Sequence, residues 1–409
     1  MAKIQIPSGR LDSLDALRGF DMFFIAGGGG LFKALAVATG LPFLVWWGGQ
    51  MTHVAWHGFV AYDMIFPLFL FIAGISFPFS LHKSRSLGKK NPQIMWTVIK
   101  RGALLILLGL IYNGILQFDF ENLRMASVLG RIGLAWMCAA LLYLFFGVHG
   151  AWISILIILL SYWAIFMFFI APDAPLGADR FSMEGNIISY IDRLITPGRL
   201  LYGYAPSYDS AGQMIDQIPT MLGKLKSDPQ ALVYAKEHML HDPEGLAATW
   251  PAIATALLGM LTGWFMQLKH KLWQGWKKAL VLAIAGGLLI FTGWLWDATF
   301  PINKNLWTSS FVLFVGGLSM LVFSVFYTVV DVIGWKKWAF FFRVIGLNSI
   351  AIYLGQKLIS VSVTSKFLFG GLIGFFPELW QAVLVHAFYA ITCWLFLYLM
   401  YRNRWFLKV

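Results

Sequence analysis

Residues 57–80 read HGFVAYDMIFPLFLFIAGISFPFS. Past Asp63 the stretch carries no charge, and its length suits one passage through a hydrocarbon core, which takes roughly 20 apolar residues as a helix. Helix is the economical form there, because each backbone amide must be satisfied within its own segment. Comparable runs lie near 20–38, 97–116, 128–146, 151–171, 248–268, 278–298, 306–328, 343–361 and 380–401. They predict an all-α, polytopic membrane protein of about ten transmembrane helices.

Composition agrees. Charged residues make up 12% of the 409 and hydrophobic residues 59%, with a mean hydropathy of +0.71. Soluble domains carry about 25% charged residues, so this chain could not cover its own surface in water. The net charge of +12 would suggest nucleic acid in a soluble protein. Here no basic helix or RNA-binding motif accompanies it, and the positive-inside rule accounts for it. Lys3, Arg10 and Arg18, then Lys83, Arg85, Lys89, Lys90, Lys100 and Arg101, then Lys269, Lys271, Lys277 and Lys278, then Lys336, Lys337 and Arg343, and finally Arg402, Arg404 and Lys408 fall on alternate connections. Both chain ends are therefore expected in the cytoplasm. Cys138 and Cys393 sit in apolar runs and are read as buried thiols rather than a disulfide. The 19 tryptophans suit interfacial anchoring and equally permit a homodimer within the bilayer.

One non-membrane segment is long. Residues 172–247, between the fifth and sixth helices, are read as an extracytoplasmic cap within a single domain spanning 1–409. Asn186–Leu194 and Ala231–Met239 are expected to be helical inside it. Loops of this length commonly serve as lids or binding elements.

Polar residues in apolar surroundings carry the chemical information. Asp63 needs a partner. His57 precedes it by about one and a half helical turns, and His53 by ten residues. A carboxylate can hold a histidine so that it accepts a proton from an attacking amine or hydroxyl. It can equally cap or bond a neighbouring helix. Three further polar groups gather toward the same face: Asp242-Pro243-Glu244-Gly245, the stretch from Pro301 to Ser310, and Arg131. The Gly27–Gly30 run is read as a helix-packing surface. Asn348, in Gly346-Leu347-Asn348-Ser349, falls early in the ninth helix.

In these residues the chain resembles the heparan-α-glucosaminide N-acetyltransferase family and its bacterial relatives. The matching pieces run in order along nearly the whole chain. They are Arg10-Leu11-Asp12-Ser13-Leu14-Asp15-Ala16-Leu17-Arg18-Gly19, His53-Val54-Ala55-Trp56-His57-Gly58 with Asp63, Phe66-Pro67 and Gly74, and Leu129-Gly130-Arg131-Ile132. Asp242 to Gly245 with Pro251 to Thr255, Asn303 to Ser309, and Gly346-Leu347-Asn348 complete the set. The resemblance implies transfer of acetyl from acetyl-CoA on the cytosolic side to the amine of a terminal glucosamine across the membrane. It maps the catalytic histidine to His53 and its supporting aspartate to Asp63. One departure is that Ile25-Ala26 precede the glycine run, where relatives can carry an asparagine.

A thioester is already activated, so no metal is required. What remains is to deprotonate an amine, align two substrates and stabilise an oxyanion. CoA phosphates need arginine or lysine, and Arg18 and Arg101 lie at inner helix ends. Arg131 and Asn348 complete the candidate donor-binding set. Asp242, Glu244, Asn303, Lys304 and Trp307 form the candidate set for an amino sugar or glucosamine-terminated glycan. Two other functions stand beside this one. An amino-sugar transporter would use Asp63 as a proton or substrate site, and an O-acyltransferase of envelope glycans would use the same histidine on a hydroxyl.

Overall fold

A computed structural model describes residues 11–208, 213–225, 227–268 and 275–407. Lys3, Arg10, Lys269, Lys271 and Lys408, read above as cytoplasmic, lie outside these residues.

The described chain is an all-α, multi-pass membrane protein. Eight of its helices are long and apolar enough to cross a bilayer: Asp12–Thr39, Ala61–Ser86, Asn91–Tyr112, Val128–Phe168, Thr249–Gln267, Trp276–Asp297, Ser309–Val332 and Glu378–Arg402. A bent pair, Ala339–Leu347 and Ser349–Leu358, supplies one more crossing with a 67° break at Asn348. Val128–Phe168 is 41 residues long, about 61 Å if straight, or twice the hydrocarbon thickness. It is broken at Gly147, whose φ of +65° departs from the helix. Near its start, Arg131 donates to the Gly245 carbonyl, and near its end Ser161 accepts from Trp250 Nε1. Both limbs thus reach the start of Thr249–Gln267, so the chain doubles back at Gly147. Residues 128–146 and 148–168 are two crossings, and the total is ten.

Contacts at the helix ends define two faces. On one, Lys336 and Arg343 pair with Asp12 at 2.9 and 3.2 Å, and Ser13 bonds Asp331. This basic face gathers the ends of the first, eighth and ninth crossings. The opposite face carries the described residues between 169 and 248 and is called here the cap face.

Thr249–Gln267 is the central helix. Its most apolar window is 83% buried by protein, against 22% for Trp276–Asp297 at the periphery. Small residues let its neighbours approach, which is how helices associate where lipid is as apolar as leucine. A methyl group on Gly259 would strike the Phe71 carbonyl, and one on Gly74 the Ala256 carbonyl. The Gly27–Gly30 run packs similarly on the last helix, against Tyr389, Ala390 and His386. Gly27 also breaks its own helix at φ +114°, a conformation open to glycine and costly for other residues.

The cap has the two expected helices, at Ile187–Ile195 and Pro229–Glu237, each opened by a side-chain cap from Asn186 and Asp228 respectively. It also holds an unexpected antiparallel sheet of Tyr202–Tyr208, Met214–Met221 and Met239–His241, with the first strand in the middle. These strands show no clean alternation, and the first contains Gly203 and Pro206. Close packing of Gly203 on Ala235 of the second helix takes the place of a pattern.

Candidate active site

Residues 51–60 are irregular, so the second crossing begins at Ala61, four residues later than its apolar run suggested. Asp63 therefore lies in the first turn of the crossing, at its cap-face end, and not deep within it. A helix N-terminus favours an anion, and the Val60 amide donates to Asp63 Oδ2 at 3.3 Å. Asp63 is 1% exposed.

His53 Nδ1 lies 2.6 Å from Asp63 Oδ1. The Tyr62 ring lies beside the imidazole, with centroids 4.9 Å apart. His53 itself stays 52% exposed, so a carboxylate buried in protein holds a ring that reaches the cap-face solvent. With Nδ1–H donated to Asp63, Nε2 keeps a lone pair.

Lys304 comes from a distant connection and joins them. Its Nζ lies 3.2 Å from Asp63 Oδ1, 3.0 Å from His53 Nδ1 and 3.4 Å from Nε2. The turn that presents it is strongly determined. Asn303 is fully buried, accepts from the Leu306 amide at 2.9 Å, and places Nδ2 3.3 Å from His57 Nδ1. Trp307 adopts φ +53°, unusual for a bulky residue and tolerated where packing over-determines it. Its indole donates to Thr255 Oγ1 at 3.2 Å, and its ring meets Phe66 at 5.0 Å and the Arg131 guanidinium at 5.3 Å. Trp307 thus serves as a buried wedge behind Lys304. Burial pushes the nearby His57 below the ordinary imidazole range, against the pull of Asp179 and Asp297.

Asp242 and Glu244 sit in a second cluster. Arg124 grips Asp242 through Nε at 2.7 Å and Nη2 at 2.5 Å, and Nη2 also bonds Glu244. Sequence reasoning passed over Arg124, which belongs to no motif. A cation ahead of a cap-face helix, opposite an acidic pair, was the available signal. Burial opposes its charge, yet the two carboxylates hold Arg124 above the usual arginine range. Arg131, 2% exposed, spends Nη2 on Gly245. Nearby, burial raises Asp192 to about 6 and depresses His241 to about 3. Asp192 accepts from the Ala247 amide, and His241 Nδ1 lies 2.7 Å from Ser189 Oγ. The cap reaches the His53 loop through Trp56, which donates to the Phe181 carbonyl at 2.7 Å and lies 5.2 Å from the His241 ring.

Toward the basic face, Arg18 donates to Ser76 at 3.2 Å and lies 3.6 Å from Asp15. Arg101 stacks on Trp136 at 4.8 Å and is close enough to Arg18 to feel its charge. Asn348 is fully buried at the helix break. Its amide donates to the Trp405 carbonyl, and its oxygen accepts from Leu407, both at 3.0 Å, fastening the chain end. The eleven candidate positions thus separate into three places: His53, Asp63, Asn303, Lys304 and Trp307; Asp242, Glu244 and Arg131; and Arg18, Arg101 and Asn348.

Over 98% of its length, the chain is similar to heparan-alpha-glucosaminide N-acetyltransferase. It is 25% identical to the mouse protein over 448 aligned residues and 25% identical to the human protein over 463. It spans 62% and 60% of the length of those two relatives. No protein-family model matches the chain. Both relatives bear the name of an N-acetyltransferase acting on a glucosaminide.

Proposed function

We propose that this protein is a membrane-embedded N-acetyltransferase of a bacterial inner membrane. In this reading acetyl-CoA enters from the basic, cytosolic face, and the acceptor is the amine of a glucosamine-type sugar on the cap face. The observation that carries it is the imidazole of His53, half exposed on the cap face and bonded from behind to a buried aspartate. The similarity to two glucosaminide N-acetyltransferases supports it.

The chemistry follows from the atoms present. The neutral amine attacks the thioester carbonyl, forming a C–N bond and an oxyanion. His53 Nε2 takes the amine proton, and Asp63 steadies the resulting imidazolium through Nδ1–H. Lys304, 3.4 Å from Nε2, is placed to meet the oxyanion with a positive charge. Collapse breaks the C–S bond, and the imidazolium returns its proton to the departing thiolate, leaving amide and CoA. Arg18 and Arg101 are adjacent cations near the basic face, an arrangement that favours a polyanion such as the CoA nucleotide.

The test is transfer from labelled acetyl-CoA to glucosamine by purified protein in detergent, beside His53→Ala. Transfer by the wild type and its loss in the variant, with CoA binding kept, supports the reading. Stable label on the wild-type protein, missing from His53→Ala, would replace direct transfer with an acetyl-histidine step. Neither transfer nor CoA binding by the wild type would sink the proposal.

A further inference from the structure

Lys304 is a primary amine held beside the base. Its Nζ lies 3.4 Å from His53 Nε2 and 3.2 Å from Asp63 Oδ1, and its side chain is only 15% exposed. The turn around it is fixed: Asn303 and Trp307 are buried, and the Trp307 amide donates to the Lys304 carbonyl at 3.1 Å. A charge alone would not call for this residue type. Arginine supplies a permanent charge and no usable lone pair, whereas lysine becomes a nucleophile once it loses a proton.

The amine of a glucosamine faces the same requirement. It arrives as an ammonium and attacks only after giving a proton to a base within hydrogen-bond reach. In acetyl transfer His53 Nε2 is that base, and Lys304 already stands beside it. Other lysines are placed differently. Lys278 donates to the Met266 carbonyl, and Lys336, 51% exposed, pairs with Asp12 on the basic face.

We propose that Lys304 is an internal acceptor: when no sugar occupies the cap-face site, the acetyl group passes to Lys304 Nζ and turnover stops in that chain. The inference rests on the acetyl-transfer reading and adds a modification site to it. His53 Nε2 takes a proton from the Lys304 ammonium and releases it to cap-face solvent. The neutral amine attacks the thioester carbonyl, forming a C–N bond and an oxyanion. A second proton leaves the nitrogen through Nε2 as the C–S bond breaks, and it goes to the departing thiolate. The products are an acetamide at Nζ, CoA and one proton. An amide does not hand its acyl group on, so a modified chain stays modified. Acetylation also removes the positive charge, and with it the oxyanion partner. A sugar amine seated beside Nε2 takes the acetyl group first, which confines the reaction to chains without an acceptor.

The experiment incubates the full chain in detergent with labelled acetyl-CoA, once without acceptor and once with glucosamine, and maps the label by peptide mass spectrometry after hydroxylamine. Hydroxylamine cleaves an acetyl-imidazole and leaves an amide, so acetyl-histidine is not counted. The expected result is resistant label at Lys304, absent from His53→Ala. Glucosamine at about ten times its Kd should slow that labelling roughly tenfold by occupying the site. Modified chains should turn over on the order of 10²-fold more slowly, the effect of losing an oxyanion partner. Label at Lys304 that forms no faster than at exposed Lys336, or that is undiminished by glucosamine or by His53→Ala, overturns the inference. Glucosamine acetylation with Lys304 unmodified overturns it and leaves acetyl transfer standing. Acetylation of neither glucosamine nor Lys304 overturns both.

Discussion

Two carboxylate–cation clusters lie on the cap face, built from similar residues to opposite ends. In one, Arg124 closes on Asp242 and Glu244, and Asp242 is fully buried with both oxygens bonded. In the other, Asp63 holds His53 and Lys304, yet the imidazole stays half exposed. The first arrangement satisfies its charges internally and ties the loop before the fourth crossing to the end of the cap. The second leaves a lone pair facing solvent. Ion pairing alone therefore says little about function; the open valence does.

The sharpest way to break this contrast is to remove the open end. His53→Ala should lower kcat by on the order of 10³-fold, the middle of the range for a general base, with the melting temperature nearly unchanged. Asp63→Asn should follow with a smaller loss. A steady-state assay with a melting curve checks both, and a large loss of stability in His53→Ala would count against a catalytic role.

The closed cluster should respond in the opposite sense. Arg124→Met strands the buried Asp242 and the partly buried Glu244, and breaking one side of a buried pair costs about 3–5 kcal/mol. Denaturation should show that loss, while the fraction still folded keeps most of its kcat. If kcat collapses at full stability instead, the second cluster belongs to the site.

Lys304→Met tests the join between base and electrophile. An oxyanion partner is worth about 10²-fold in kcat, with little change in KM. A change confined to the glucosamine KM would make Lys304 a sugar contact.

The smallest effect lies in the cap. His241 is depressed to about 3 by burial, so between there and its unfolded value only the unfolded cap binds the proton. Its contribution is whole above about pH 6.5 and declines as pH falls. Asp192, raised to about 6 by burial, acts oppositely and favours the folded cap as pH falls from 6 toward 4. Going from pH 7 to 5, Asp192→Asn should make the cap more sensitive to proteolysis by roughly 1 kcal/mol. His241→Phe should instead make it more resistant, by roughly 2 kcal/mol. Equal acid sensitivity in both variants would exclude this pair as the source.

Much of this architecture was legible in the chain. The apolar runs appear as ten crossings because lipid leaves a backbone few alternatives. His53 and Asp63 could be singled out because a charge beside an apolar run needs an explanation. Other features were harder to see. Asp63 read as intramembrane because apolarity continues back to Phe59, but Gly58 and the bonded loop delay the helix to Ala61. Arg124 stands in no motif. The cap sheet lacked alternation, since neighbouring cap elements rather than a two-sided core hold its strands.

By itself, then, the sequence determined that this protein lives in a bilayer, roughly where it crosses, and which few polar residues need a reason to be there. Those properties follow from local composition and the cost of an unsatisfied amide in hydrocarbon. Only the tertiary structure decided that Lys304 meets Asp63 across 240 intervening residues and that Asp242 and Glu244 are closed onto Arg124. Each depends on which helix packs beside which. Close approaches such as Gly74 on Gly259 set that arrangement, and no single stretch of the chain contains it.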